Sequence, residues 1–172
     1  MTFRAQLQTA RLLLRPVAAR DEAAILANMN DLDVSGWLAS VPVPYTVADF
    51  NRFVGEIARP GDTFAVEDAE GFAGIVGAGE ELGYWFAPRA QGRGYATEAA
   101  TAILTAQFAL CDSDVISGYF EGNARSARVL EKLGFAETGR YLRHCRPLNR
   151  FRPHVDLRLT AAAFAARLKP MA

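Results

Sequence analysis

The chain has 172 residues, 51% of them hydrophobic, with 19 basic and 19 acidic side chains and no formal net charge. That length supports one sizeable core and is short for two full-sized domains, so residues 1–172 are read as a single domain. Zero net charge and a sequence pI of about 6.7 exclude a global attraction to nucleic acid or to an anionic membrane.

In chain order, Leu12, Leu13 and Leu14 predict a strand that ends at Arg15-Pro16. Asp21 precedes a helical pattern over 22–29, and Val41-Pro-Val-Pro44 predicts an extended connection. Thr46 is placed to cap a second helix with Phe50, Phe53, Val54 and Ile57 on its apolar face, ending near Pro60-Gly61. Strands are expected at 64–66, 72–78 and 81–86, the last two joined tightly around Gly79. Ala99, Ala100, Ile103, Leu104 and Phe108 recur at helical spacing within 95–110. A strand at 115–120 follows, then a helix with Asn123 as its cap, an inward stripe of Ala127, Leu130 and Leu133, and Gly134 as its end. Two strands, at 138–145 and 151–159, and a short helical piece at 161–168 complete a mixed α/β sheet with an antiparallel centre.

The most informative segment is Gln91-Gly-Arg-Gly-Tyr-Ala96, set between a predicted strand and a predicted helix. A helix start leaves backbone N–H groups without internal partners and carries a positive partial charge, which together favour an anion such as a diphosphate. Gly92 and Gly94 let the main chain approach a ligand closely, and Arg93 offers charge. The segment is neither a Gly-x-x-x-x-Gly-Lys-Ser/Thr loop nor a three-glycine dinucleotide fingerprint.

Glu81 stands at the start of Leu82-Gly-Tyr-Trp-Phe86 and is a candidate for accepting a proton from an amine, directly or through water. Glu80 competes with it, but strand alternation keeps both from facing one cavity. Asn123 can cap its helix or fix an amide-bearing ligand, and Ser126 can donate to a ligand or protonate a departing thiolate. Tyr84, Trp85, Tyr95, Tyr119 and Tyr141 are pocket candidates, with Tyr141 a second possible proton donor; Trp37 and Tyr45 flank the proline-containing connection and can line a substrate entrance or pack as a lid. Cys111 and Cys145 have no motif partner, and His144 and His154 complete neither a triad nor a zinc set, so no metal site is expected. The start Met-Thr-Phe-Arg-Ala-Gln lacks a signal-peptide apolar region and no run reaches a membrane span, so a cytoplasmic protein is expected. Arg140, Arg143, Arg146, Arg150, Arg152 and Arg158 crowd the late chain, while 21–70 is mostly acidic.

Taken together, Thr9-Ala-Arg-Leu-Leu-Leu-Arg-Pro16, Val41-Pro-Val-Pro-Tyr-Thr46, Leu82-Gly-Tyr-Trp-Phe-Ala-Pro88, the run from Gln91 through Ala99 and Asn123-Ala-Arg-Ser-Ala-Arg-Val-Leu-Glu-Lys-Leu-Gly-Phe135 resemble the GNAT acyltransferase superfamily, in particular its ribosomal-protein N-acetyltransferase-like branch. The resemblance implies a GNAT fold, a mixed and mainly antiparallel sheet splayed near its centre and flanked by helices, with acetyl-CoA in the splay. It implies main-chain contacts to pantetheine from Trp85, Phe86 and Ala87, and a diphosphate site from Gln91, Gly92, Arg93, Gly94, Tyr95 and Ala96. Asn123 would contact the pantetheine arm, and Ser126 would lie near the cofactor as the acid for the thiolate. Glu81 matches the acidic position before the branch's Leu-Gly-Tyr segment and is the implied base. One departure is that 71–81 is short and glycine-rich, which predicts a truncated hairpin before Glu81.

The implied reaction is attack of a neutral amine on the thioester carbonyl. A protein or peptide N-terminus, which needs an open groove, and a small amine or antibiotic-like metabolite, which needs a more enclosed pocket, are both acceptor classes for this scaffold. A cofactor-binding domain without transferase activity is the third reading. The late arginines could dock an acidic peptide or a phosphate-bearing metabolite. Trp37, Tyr45, Glu81 and Tyr84 are the acceptor-side candidates, and the chain is expected as a monomer or homodimer.

Overall fold

The computed structural model describes residues 6–79 and 81–168. Five antiparallel strands form one sheet in sequential order: β1 (Leu7–Gln8), β2 (Leu13–Arg15), β3 (Thr63–Asp68), β4 (Gly71–Gly77) and β5 (Gly83–Phe86). A second antiparallel sheet has the order β6 (Val115–Phe120), β8 (Arg150–Leu159), β7 (Ala136–Cys145). Helices α1 (Glu22–Met29), α2 (Leu32–Ser35) and α3 (Val47–Arg52) lie between β2 and β3 in the chain; α4 (Tyr95–Phe108) crosses from β5 to β6, α5 (Ala124–Leu133) joins β6 to β7, and α6 (Ala161–Leu168) follows β8.

Strand alternation divides the core between the two faces. Leu12, Leu14, Phe64, Val66, Val76, Leu82 and Phe86 pack with Ala99, Ile103 and Leu104 of α4, Leu130 and Leu133 of α5 and Phe164 of α6. Ala65 and Ile75 point the other way, against Ile25 and Met29 of α1, Val34 of α2 and Phe50 of α3. Leu130 is fully buried, and its truncation to alanine is worth about 2–5 kcal/mol. α5 follows from local chemistry: the Asn123 side chain accepts from the Ser126 N–H at 3.2 Å, and Gly134 closes the helix at φ +96°, a conformation that glycine adopts without a Cβ clash.

Arg15 is buried and pairs with Asp21 through bonds of 2.8 and 2.6 Å, and with Glu67 at 2.6 Å. Burial works against the Asp21 charge, but the bonds from Arg15 and from the Ala18 N–H outweigh it and hold this carboxyl below its ordinary value. Asp21 thus ties β2 to the entrance of α1.

Several boundaries differ from expectation for identifiable reasons. α3 gives way to a π-helical turn over Phe53–Ile57, whose extra residue per turn shifts the apolar phase; Phe50 stays buried while Ile57 is 57% exposed. The strand expected at 81–86 begins at Gly83, because Glu81 and Leu82 leave the first sheet to meet the second. β1 and α2 are too short to show a period in the sequence. Glu80 lies outside the described residues. Among the described residues, no helix is long and apolar enough to cross a membrane.

Candidate active site

Among the described residues, the two sheets join at one place. Glu81 bridges Ile116 in a parallel sense, the Leu82 N–H donates to the Ile116 carbonyl at 2.8 Å, and the buried Ser117 hydroxyl donates to the Leu82 carbonyl at 2.8 Å. Beyond this joint β5 and β6 diverge, since β5 ends the first sheet and β6 ends the second. An open cleft of about 1880 Å³ occupies the divergence, with Trp37, Tyr45, Glu81, Tyr84, Asn123 and Ser126 among its lining side chains.

On β5, the Ala87 N–H donates to the Ala73 carbonyl at 2.8 Å, so alternation directs the main chain of Trp85 and Ala87 toward β4. The same alternation turns the main chain of Tyr84 and Phe86 into the cleft. Of the three residues expected to offer main-chain contacts, Phe86 therefore faces the gap, whereas Trp85 and Ala87 use theirs within the sheet. The Trp85 side chain packs on the α1–α3 face with its ring centroid 5.8 Å from Phe72. The Phe86 carbonyl accepts from Gln91 Nε2 at 2.9 Å, and Gln91 Oε1 accepts from Arg125 on α5, which links the walls beyond the gap.

The turn before α4 carries the features of an anion cradle. Gly92 and Gly94 adopt φ +74° and +78°, and a Cβ on Gly92 would meet nothing within 4 Å. Among the described residues, none accepts from the backbone N–H groups of residues 92–97; the next N–H, of Glu98, bonds to the Gly94 carbonyl at 3.1 Å. These open donors at a 14-residue helix start fit the diphosphate of coenzyme A. The loop is fixed from outside: Glu98 accepts from the Thr9 hydroxyl at 2.6 Å and from Arg11 Nε at 2.8 Å, and Arg11 Nη1 donates to the Arg93 carbonyl at 2.9 Å. Arg93 itself pairs with Glu70 at 3.1 Å, which partly offsets its charge. Tyr95 is buried beneath the Arg11 guanidinium, 4.9 Å from its ring centroid, and Ala96 is half-buried in the cleft wall.

Across the cleft, Tyr84 Oη lies 2.9 Å from Ser126 Oγ. Burial pushes the Tyr84 phenol up to about 12, while the hydrogen bond with Ser126 pulls in the opposite direction. The phenol is protonated at neutral pH, and its O–H can donate a hydrogen bond into the cleft. Asn123 keeps its capping bond and also lines the cleft.

On the acceptor side, Glu81 is exposed at the sheet joint. Tyr45 is buried, and burial followed by nearby Asp49 raises its phenol to about 12. Trp37 is 38% exposed and receives the Arg152 guanidinium 4.5 Å from its ring centroid. Tyr141 is 47% exposed on β7, and its side chain is not among those lining the cleft in the described residues. Cys111 is exposed and Cys145 is buried, where its thiol donates to the Gly36 carbonyl at 3.5 Å. Among the described residues, no group of His, Cys, Asp and Glu is arranged to hold a metal ion.

Sequence reasoning did not single out His154 or distinguish Arg143 from the other late arginines. His154 is buried and lines the cleft, with Phe120 edge-on at 5.1 Å and Arg143 Nη1 at 3.4 Å from Nε2. Its Nδ1 is 3.1 Å from Asp156 Oδ1 but out of line for a hydrogen bond. Burial, reinforced by Arg143, holds the imidazole below its ordinary value despite Asp156. The available signal was Gly118: a Cβ there would fall 2.3 Å from His154 Cε1, so this glycine admits the ring. Only the β6–β8 register reveals that relation.

The family model described as Acetyltransferase (GNAT) domain matches residues 11–136. No curated protein matches the chain. Among solved structures, Mycobacterium smegmatis RimJ in complex with CoA-disulfide aligns at TM-score 0.76 and 24% identity, covering 91% of this chain and 87% of that one. Spermidine N-acetyltransferase from Vibrio cholerae in complex with CoA and spermine aligns at TM-score 0.75 and 20% identity, over 91% and 99% of the two chains. Ribosomal-protein-S5-alanine acetyltransferase from Vibrio fischeri aligns at TM-score 0.74 and 17% identity, over 91% and 97%. With the splayed sheet, the open helix start and a family match over most of its length, the chain belongs to the GNAT family and is an acetyl-CoA-dependent N-acetyltransferase acting on amines.

Proposed function

We propose that the acceptor is the N-terminal amine of a protein or peptide. The observation that carries this reading is the open cleft of about 1880 Å³, which extends past the sheet joint to Trp37, Leu38 and Val41 and can admit a flexible chain end. Likeness to the Vibrio fischeri ribosomal-protein-S5-alanine acetyltransferase supports the same choice at the level of fold. A second reading, a small amine, has support from the fold of the Vibrio cholerae spermidine N-acetyltransferase and from the acidic side chains Asp33, Asp49 and Glu56 in the cleft wall.

In the proposed mechanism, bound acetyl-CoA supplies an activated acetyl thioester. The open N–H groups of 92–97, the Phe86 and Tyr84 main chain and Asn123 would hold it, with Gln91 and Arg125 bracing the far end of the cleft. Glu81, at the mouth of the joint, takes the proton that the amine must lose, directly or through water. The Tyr84–Ser126 hydroxyl pair holds a donatable proton on the facing wall, suited to the leaving thiolate. Positioning the partners supplies much of the rate gain.

An acceptor screen with mass-spectrometric detection tests the assignment, using peptides with free and blocked N-termini alongside polyamines and other small amines. Acetylation at the peptide α-amine is the expected result. Transfer to small amines alone would overturn it.

A further inference from the structure

The late arginines separate into distinct groups once their partners are known. Arg140 pairs with Glu121 and Glu137, and Arg158 pairs with Asp114. Arg146 and Arg150 are exposed. Arg152 donates to the Gly36 carbonyl at 2.8 Å and lies over Trp37 and Phe120, which fixes its orientation. Arg143 differs from all of these. It is half-buried in the cleft wall, and among the described residues its side-chain partner is His154 Nε2 at 3.4 Å, with no carboxylate in an ion pair with it.

The register makes this placement unfavourable without a ligand. Arg143 stands directly opposite Arg152 in the β7–β8 ladder, and His154 stands beside Arg152 on the same face. Like charges directly opposite one another destabilise a sheet. The carboxylate near His154 belongs to Asp156, which is partly exposed and on the side of the imidazole away from Arg143. A half-buried guanidinium in a cleft wall, with a second guanidinium opposite it in the ladder, suits an oxyanion.

The site is linked to the candidate base by contacts along β6. The His154 ring lies against Gly118, two residues along β6 from Ile116, whose carbonyl joins the sheets next to Glu81. Contacts thus run from Glu81 through Ile116, Gly118 and His154 to Arg143, so an anion held by Arg143 shares the cleft with the candidate base. Resting on the peptide reading above, we propose that Arg143, backed by Arg152 and His154, anchors a carboxylate of the acceptor, and that the preferred peptide carries Asp or Glu at its first or second position.

The test uses initial rates for three peptides that differ at position two, Asp, Asn or Lys, and for β-alanine and its amide as small acceptors. The wild type is expected to favour Asp over Asn by about tenfold in kcat/KM, chiefly through KM. In Arg143→Met that preference is lost, with the Asp value falling to that of Asn. Thermal unfolding adds a measurement independent of transfer: Arg143→Met should be at least as stable as the wild type, because the opposed charges are removed. Equal kcat/KM for all charges, survival of the preference in Arg143→Met, or a marked fall in that variant's Tm would overturn the anchor. If only the small acceptors are acetylated, the peptide reading fails, and a β-alanine preference that depends on Arg143 still supports the anchor; preference for the amide or for a polyamine overturns both.

Discussion

Tyr84 Oη and Ser126 Oγ lie 2.9 Å apart, one carried by the strand before the glycine turn and the other by the first turn of α5. In the proposed mechanism the two hydroxyls act as one proton-donating unit across the splay. Tyr84→Phe and Ser126→Ala are each expected to lower kcat by about 100-fold with little change in the KM for acetyl-CoA. The double variant should be scarcely worse than either single one, as expected for groups acting together. Steady-state kinetics of the three variants check this, and additive losses would assign the hydroxyls separate roles.

Glu81→Gln keeps the size and the joint to Ile116 while removing the carboxylate. It should reduce kcat by about 100-fold and leave coenzyme A affinity within about twofold. Calorimetric titration of coenzyme A beside initial-rate measurements separates the two effects. Unchanged turnover would remove Glu81 as the base.

Two glycines should respond differently to alanine. At Gly118 a Cβ would sit 2.3 Å from His154 Cε1 and 2.8 Å from the Val155 carbonyl, so Gly118→Ala is expected to lose about 1–3 kcal/mol through overpacking. At Gly92 space is open but φ is +74°, so Gly92→Ala costs about 1 kcal/mol of backbone strain and weakens coenzyme A binding. Denaturant melts and ligand titrations on both variants distinguish a packing defect from a cradle defect.

The buried Arg15–Asp21 pair makes stability depend on pH. Because the folded-state value of Asp21 is depressed, its contribution is present above the ordinary carboxylate value and is lost as pH falls through the folded one. Unfolding free energy should therefore decline below about pH 4. Asp21→Asn should cost about 1.5–3 kcal/mol near neutrality, since Arg15 would lose its charged bonds to Asp21 and keep the one to Glu67, and should flatten the acid decline. Urea titrations across the acid range measure both.

The helices of the cofactor half were legible because their signals are local. Asn123, the Leu130 and Leu133 stripe and Gly134 mark α5 within a dozen residues, and the glycines at 92 and 94 announce the turn into α4. Glu81 could be named from its neighbours, but its bridge to Ile116 could not, because it joins segments separated by the whole of α4. Register likewise hid the Arg143–Arg152 opposition, which depends on an irregularity between Glu137 and Gly139 that shifts the pairing of β7. The Trp85 main chain was misdirected for the same reason: alternation is visible in sequence, but which edge faces the gap is fixed by the Ala87 to Ala73 bond.

The joint at Leu82 and Ile116 has a further consequence for solubility. Past it, two strand edges present backbone amides that in most proteins would invite a strand from a neighbouring copy. Here both edges face the cleft between the two sheets rather than the outer surface. In the proposed mechanism the amides of bound acetyl-CoA would pair with the Tyr84 and Phe86 main chain and occupy the place that a neighbouring strand would otherwise take.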